Sequence, residues 1–293
     1  MINDIDRKVI KCPETLNVHD IAFRDDSISF LNDIVNIGLP SKQQPNPILV
    51  DLTDLQVWNL SASVVLFAKI TTVQLVSRVP DLVKVKLPHN REVKKMIYDY
   101  GLWDVIKFGT DRKLDKNWSS GNYYQSGTNA EKHFEMTVNL IKEKYKDTPR
   151  TLIDGINEAI LNVTHHAYAN YPEGAIKRWW QFFHRTNDNR FRFFIYDTGI
   201  GIAKSFRNIQ NLGGESDMIV HAMTRGVSST KLPGRGNGSE NIKKPVVKLL
   251  NCKLLVISGK GLFKLFEHDK QETANLENSI GGTLVGWEFK LED

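Results

Sequence analysis

The sequence predicts an α/β protein built as two units, and three observations carry that prediction. Up to about residue 115, short apolar runs that alternate as strands do trade places with runs at helical spacing. From residue 130 to 293 the same alternation resumes around longer and more aromatic strands. Between them lies a polar, glycine-bearing stretch, Asp115-Lys-Asn-Trp-Ser-Ser-Gly-Asn-Tyr-Tyr124, which reads as a linker over 116–129. A chain of 293 residues with 41% hydrophobic content is long and apolar enough to bury a core in each unit.

In the first unit, 1–115, Pro47-Ile-Leu-Val-Asp-Leu-Thr-Asp54 reads as a strand running into a turn, and Leu60 to Val76 as a helix rich in small and apolar residues. Val83-Lys-Val-Lys-Leu87 alternates as a strand, and Arg91 to Tyr100 is a short helix stopped by Gly101. Strand, helix, strand, helix implies a small parallel or mixed sheet with helices packed on it. This order, with Leu87-Pro-His-Asn-Arg-Glu-Val93 and Tyr100-Gly-Leu-Trp-Asp104, resembles a STAS domain, the fold of anti-sigma-factor antagonists. In that family a serine at a helix start, after an aspartate, accepts phosphate from a partner kinase. Ser61 takes that position and is the candidate phosphoacceptor, although Asn59 stands where the family carries the acid. By its position alone Ser61 is a residue of a helix's first turn.

The second unit, 130–293, opens with a helix, Ala130 to Tyr145, that carries His133. In the helix that follows, Ile156, Ala159, Ile160 and Val163 recur at helical spacing, and Glu158, Asn162 and His166, four apart, line one polar edge. A carboxylate there can orient or deprotonate a water, and the amide oxygen of Asn162 suits a hard cation such as Mg²⁺. Two strands, 174–185 and 190–196, come next. Trp179 and Phe183 point one way and Trp180 and Phe182 the other, so the sheet is expected to be covered on both faces. The second strand breaks into Asp197-Thr-Gly-Ile-Gly-Ile202, where Asp197 can accept from an exocyclic amine, while Gly199 and Gly201 let backbone approach a ligand.

Residues 224–238 follow a short helix, 216–223, and hold too many glycines and small polar residues for regular structure. Gly234, Gly236 and Gly238 can wrap a polyphosphate with backbone N–H groups, and Lys231 and Arg235 are candidate phosphate contacts. The segment is expected to be mobile without ligand, and limited proteolysis at Arg225, Lys231 or Arg235 tests that. Ser239 caps a further helix, inside which Pro245 should force a kink or a new start. A hairpin, 252–266, and a closing strand from Gly281 to Leu291 that contains Thr283 complete the chain.

The helix with Glu158 and Asn162, the Asp197 glycine turn, the Gly234-Arg-Gly-Asn-Gly238 loop and the Gly282-Thr283 strand, in this order, resemble the four boxes of the GHKL ATPase superfamily. The resemblance implies a Bergerat-type α/β sandwich, a mixed sheet with helices on one face, that binds ATP and Mg²⁺. It implies that Asp197 takes the adenine amine, Asn162 holds Mg²⁺, Glu158 is the general base, and the loop glycines with Thr283 cradle the phosphates. His166 and Arg235 join the ATP-binding set. His133 invites comparison with the phosphoacceptor of a histidine kinase, but His133-Phe-Glu-Met departs from that family's acceptor box.

Three fates of the γ-phosphate remain open at this level: slow hydrolysis driving a conformational switch, transfer to a serine or threonine of a partner or to Ser61, or none. A protein partner or a homodimer is expected for a switch of this class. A net charge of +5 without a basic run is compatible with nucleic acid but does not ask for it. Two cysteines far apart, Cys12 and Cys252, suit a reducing cytoplasm, and neither a leader nor a membrane span is expected.

Overall fold

The computed structural model describes residues 6–41, 44–146, 148–168, 171, 175–186, 189–206, 213–224 and 238–291. It is a mixed α/β chain that divides into two compact units, Met1–Ser126 and Gly127–Asp293.

The first unit is built on a three-stranded parallel sheet in the order β1-β3-β5, from β1 (Lys8–Lys11), β3 (Ile48–Asp51) and β5 (Val83–Lys86). Its helices are α1 (Arg24–Gly38), α2 (Leu60–Ser77), α3 (Arg91–Asp99) and α4 (Leu102–Ile106), and a two-strand ladder joins β2 (Thr15–Leu16) to β4 (Val57–Trp58). Among the described residues α2 is the one helix long and apolar enough to cross a membrane. It is hydrophobic all round because it is the core helix: Leu66, Phe67, Ile70 and Val73 are fully buried. Asn59 starts it, its side chain accepting from the Ser61 N–H, and Asn90 caps α3 in the same way.

Residues 116–129, expected to form a linker, are partly regular structure. They hold the end of α5 (Asp111–Ser119) and the strand β6 (Tyr124–Gly127). Their polar groups bind one another, Trp118 Nε1 donating to Ser126 O at 3.0 Å and Asn117 Nδ2 to Tyr124 O at 3.2 Å. Local composition missed this because the ordering comes from those contacts and not from an apolar run.

The second unit carries α6 (Ala130–Lys144), α7 (Arg150–Asn162), β7 (Trp179–Arg185), β8 (Arg190–Asp197), α8 (Ile202–Ser205), α9 (Glu215–Ala222), α10 (Gly238–Lys248), β9 (Lys253–Ser258), β10 (Gly261–Leu265), β11 (Gln271–Asn275) and β12 (Thr283–Lys290). Within this unit the sheet order is β11-β10-β9-β12-β8-β7. The pairings from β11 through β7 are all antiparallel, so the mixed sheet of the expectation is corrected to an antiparallel one. The reason is β12, which inserts between β8 and β9. Those two strands run in the same direction and are joined through helices, and a strand antiparallel to both separates them.

Cross-strand partners share a face, so Phe193, Trp287 and Leu254 lie on one side, with Tyr196, Leu284 and Ile257 on the other. Both sides are buried. Trp179 is 2% exposed and Trp180 is 0% exposed, as the double-sided aromatic pattern of β7 requires. On the Phe193 side α7 meets α10 through Gly155, where a Cβ would lie 3.2 Å from Asn241 O and from the Trp287 ring. Pro245 sits inside α10 and does not end it. Beside the turn it disturbs, the Trp287 indole donates to Ile242 O at 2.9 Å.

Candidate functional site

The polar edge read from the sequence is helical as far as Asn162, after which α7 widens into a π-helical turn, Val163–Ala167. Such turns are uncommon and often sit at functional sites. The wider turn has a plain consequence here: exposed His165 faces the same cavity as His166, which 3.6-residue spacing does not anticipate.

That cavity, about 380 Å³, lies within the second unit and is lined by Glu158, Asn162, His166, Asp197, Gly201, Gly238 and Thr283. These residues come from four separated segments of the chain. Val163, Ile195, Ile202, Phe206, Met223 and Val285 supply apolar walls. A few polar groups converging on an apolar cleft of this size is the usual anatomy of a small-molecule site.

Asp197 ends β8 and is 5% exposed. Burial pushes its carboxyl up to about 7, against the pull of the backbone N–H groups of Gly199 and Thr283. Its Oδ1 accepts from Gly199 N at 2.7 Å. The segment that follows is clasped by two tyrosines, Tyr168 OH donating to Arg178 O beside the Thr198 hydroxyl, and Tyr171 OH to Thr198 O at 2.8 Å. Burial raises both phenols above their usual range, and the nearby Asp197 carboxylate adds to it.

The glycines divide by what they touch. A Cβ on Gly199 would stand 2.2 Å from Ala167 O, and Ile200 N donates to that same oxygen at 2.8 Å. Gly199 therefore serves the docking of its turn onto the π-helical turn, and it does not line the cavity. Gly201 does, with φ of +80°. Gly238 is the first residue of α10, and a Cβ there would fall 2.1 Å from Glu158 Oε1. The Glu158 carboxylate thus lies against the N-terminus of α10, where anions are favoured.

Thr283, expected beside the phosphate-binding glycines, lines the same cavity as Gly238. In the β12–β8 register it is the direct partner of Asp197. A closing strand assigned to no neighbour could not show this; the pairing did. Ser258, at the end of β9, was not singled out from the sequence. It is fully buried, accepts from Ile202 N at 2.7 Å and stands 3.0 Å from Thr283 Oγ1. The available signal was a hydroxyl closing the apolar run Leu254-Leu-Val-Ile257 before Gly259.

Gly234, Arg235 and Gly236, with Lys231 and the expected mobile segment around them, lie outside the described residues. Ser61 is in the first unit and 0% exposed; its hydroxyl donates to Asn59 Oδ1 at 2.6 Å, with His19 Nδ1 at 3.2 Å. His133 is buried too. Its Nδ1 accepts from Thr128 N at 3.1 Å and Asn129 N at 3.2 Å, and its ring meets Trp179 edge to face. Both side chains are held by local hydrogen bonds.

No protein-family model matches the chain, and no curated protein matches it either.

Proposed function

We propose that the second unit binds Mg²⁺-ATP in the 380 Å³ cavity and hydrolyses it slowly, as a switch acting on a partner protein or a second subunit. The observation that carries this reading is the convergence of Glu158, Asn162, Asp197, Gly238 and Thr283, distant in sequence, on one cleft. The resemblance to GHKL ATPases supplies the chemistry, and the geometry supports it in three places.

Asp197 keeps acceptor capacity beyond the Gly199 bond, next to the Thr283 hydroxyl and between apolar walls that suit a flat ring. At the other end Glu158 lies beside the α10 N-terminus, so a base and an anion-binding helix end sit together. Glu158 and Asp197 come from different elements, α7 and the end of β8, so phosphate chemistry and base recognition have separate places in the cleft. Asn162 lies between Glu158 and His166 in the chain, with an oxygen for a hard cation. One protein ligand is ordinary for Mg²⁺, which keeps waters and takes phosphate oxygens for the rest, and it would neutralise charge on the transferring phosphoryl group.

Glu158 holds and moves the proton of the attacking water; Asp197 and Thr283 orient the base; the apolar walls exclude water. Incubation with γ-labelled ATP tests the reading. Free labelled phosphate in proportion to enzyme is the expected result. Label on a partner protein would instead make the unit a kinase, and no binding of Mg²⁺-ATP at millimolar concentration would overturn the reading altogether.

A further inference from the structure

We infer that Ser258 is a positioning residue that fixes which way the Thr283 hydroxyl points, and so sets which base edge the cavity accepts. The inference rests on the nucleotide reading above and deepens it.

The argument is one of proton count. Ser258 Oγ has a single proton and two acceptor lone pairs. Ile202 N lies at 2.7 Å and can only donate, so one lone pair of Ser258 is committed. The Ser258 proton then has two places to go, Gly282 O at 3.4 Å or Thr283 Oγ1 at 3.0 Å. Gly282 O already accepts from Gly259 N at 3.1 Å and is the more distant of the two. Taking the nearer acceptor, Ser258 donates to Thr283, a residue of the cavity lining, and leaves the Thr283 proton available to a ligand there. Ser258 is fully buried, so water does not scramble this order.

Beside Thr283, in direct register, stands the Asp197 carboxylate, an acceptor. The cavity consequently offers an acceptor and a donor side by side. An edge with an exocyclic amine next to an unprotonated ring nitrogen meets both; an edge with a carbonyl next to a ring N–H meets neither. Selection of aminopurine over oxopurine is thereby assigned to a serine that never touches the ligand. Its action runs through Thr283.

The test is the ratio of Mg²⁺-ATP to Mg²⁺-ITP affinity, measured by calorimetry on the full chain. ITP differs from ATP in presenting the oxo edge. The parent should prefer ATP by at least tenfold. Ser258→Ala frees the Thr283 hydroxyl to rotate and accept, so the ratio should fall by about tenfold, a loss of one hydrogen bond's discrimination. In a Thr283→Val background the same serine change should leave the ratio where it is, because its route of action is gone. Ser258→Cys, a weak donor of similar size, should fall in line with alanine and carries the test if the alanine variant does not fold. A parent that binds ATP and ITP equally, or a ratio unmoved by both serine variants, overturns the inference and leaves the nucleotide reading standing. A parent that binds neither overturns both. A simple loss of stability would lower both affinities together and leave the ratio untouched.

Discussion

Two polar clusters of this protein look alike on paper and differ in the structure. At the start of α2, Asn59, Ser61 and His19 bring together an amide, a hydroxyl and an imidazole. In the second unit, Glu158, Asn162, Asp197 and Thr283 bring together carboxylates, an amide and a hydroxyl. The first cluster satisfies itself: Asn59 Oδ1 takes both the N–H and the hydroxyl of Ser61, at 2.9 and 2.6 Å, and Ser61 is buried. The second converges on a cavity, with one of its carboxylates held near neutrality by burial. Polar groups that the fold satisfies belong to its stability, and groups it positions around a void, at the expense of desolvation, are candidates for work on a ligand.

The sharpest way to break that contrast is Glu158→Gln. The variant keeps the size of the side chain and removes the base, so Mg²⁺-ATP should bind as before while phosphate release drops by roughly two to four orders of magnitude. Turnover near the parental rate would leave the cavity a binding site with no general base.

Asp197→Asn comes next. It sets a donor amide against the amine of the base, a buried mismatch of about 1–3 kcal/mol, so affinity should fall by roughly ten- to a hundredfold in calorimetry. The parent carboxyl, raised to about 7, adds a pH signature. Below that value it is neutral; above it the full carboxylate accepts from the amine. Binding of adenosine, which does not titrate in this range, should strengthen by up to about tenfold from pH 6 to pH 8 in the parent and stay flat in the asparagine variant. Stability runs the other way. The folded state retains a proton that the unfolded chain has released, so Asp197 should make denaturant midpoints decline as pH rises from about 4 through about 7. Asp197→Asn should remove that part of the slope.

Gly238→Ala asks whether the Glu158 carboxylate is held where the base must be. The added Cβ meets Oε1 at 2.1 Å, at the end of a side chain that can move. Turnover should fall by about tenfold while the melting temperature changes little. Gly199→Ala is the contrast, since its Cβ meets the backbone oxygen of Ala167 at 2.2 Å and nothing there can yield. That variant should be measurably less stable by thermal melting.

The smallest effect belongs to the first cluster. Asn59→Ala removes the cap of α2 and should cost about 1 kcal/mol in chemical denaturation, with nucleotide affinity unchanged. A change in ATP affinity or turnover would mean that the Ser61 corner takes part in the cycle after all.

What the sequence determined by itself was local. The i, i+4 spacing places Glu158, Asn162 and His166 on one edge because a helix repeats every 3.6 residues, and Asp197 ends a strand because glycines follow an apolar run. Most elements from Ile48 through Asp99 and from Trp179 through Lys290 were legible for the same reason; the short β4 and α8 were not, nor was β11, whose polar Gln271–Asn275 carries no apolar alternation. The tertiary structure decided everything that depends on which distant strands pair. Only the insertion of β12 between β8 and β9 sets Thr283 beside Asp197 and within reach of Ser258. Only packing buries Ser61 and turns the polar stretch before Gly127 into helix and strand. Periodicity reports the environment along one segment, whereas a cavity is made where segments far apart in the chain meet, and no local pattern encodes that meeting.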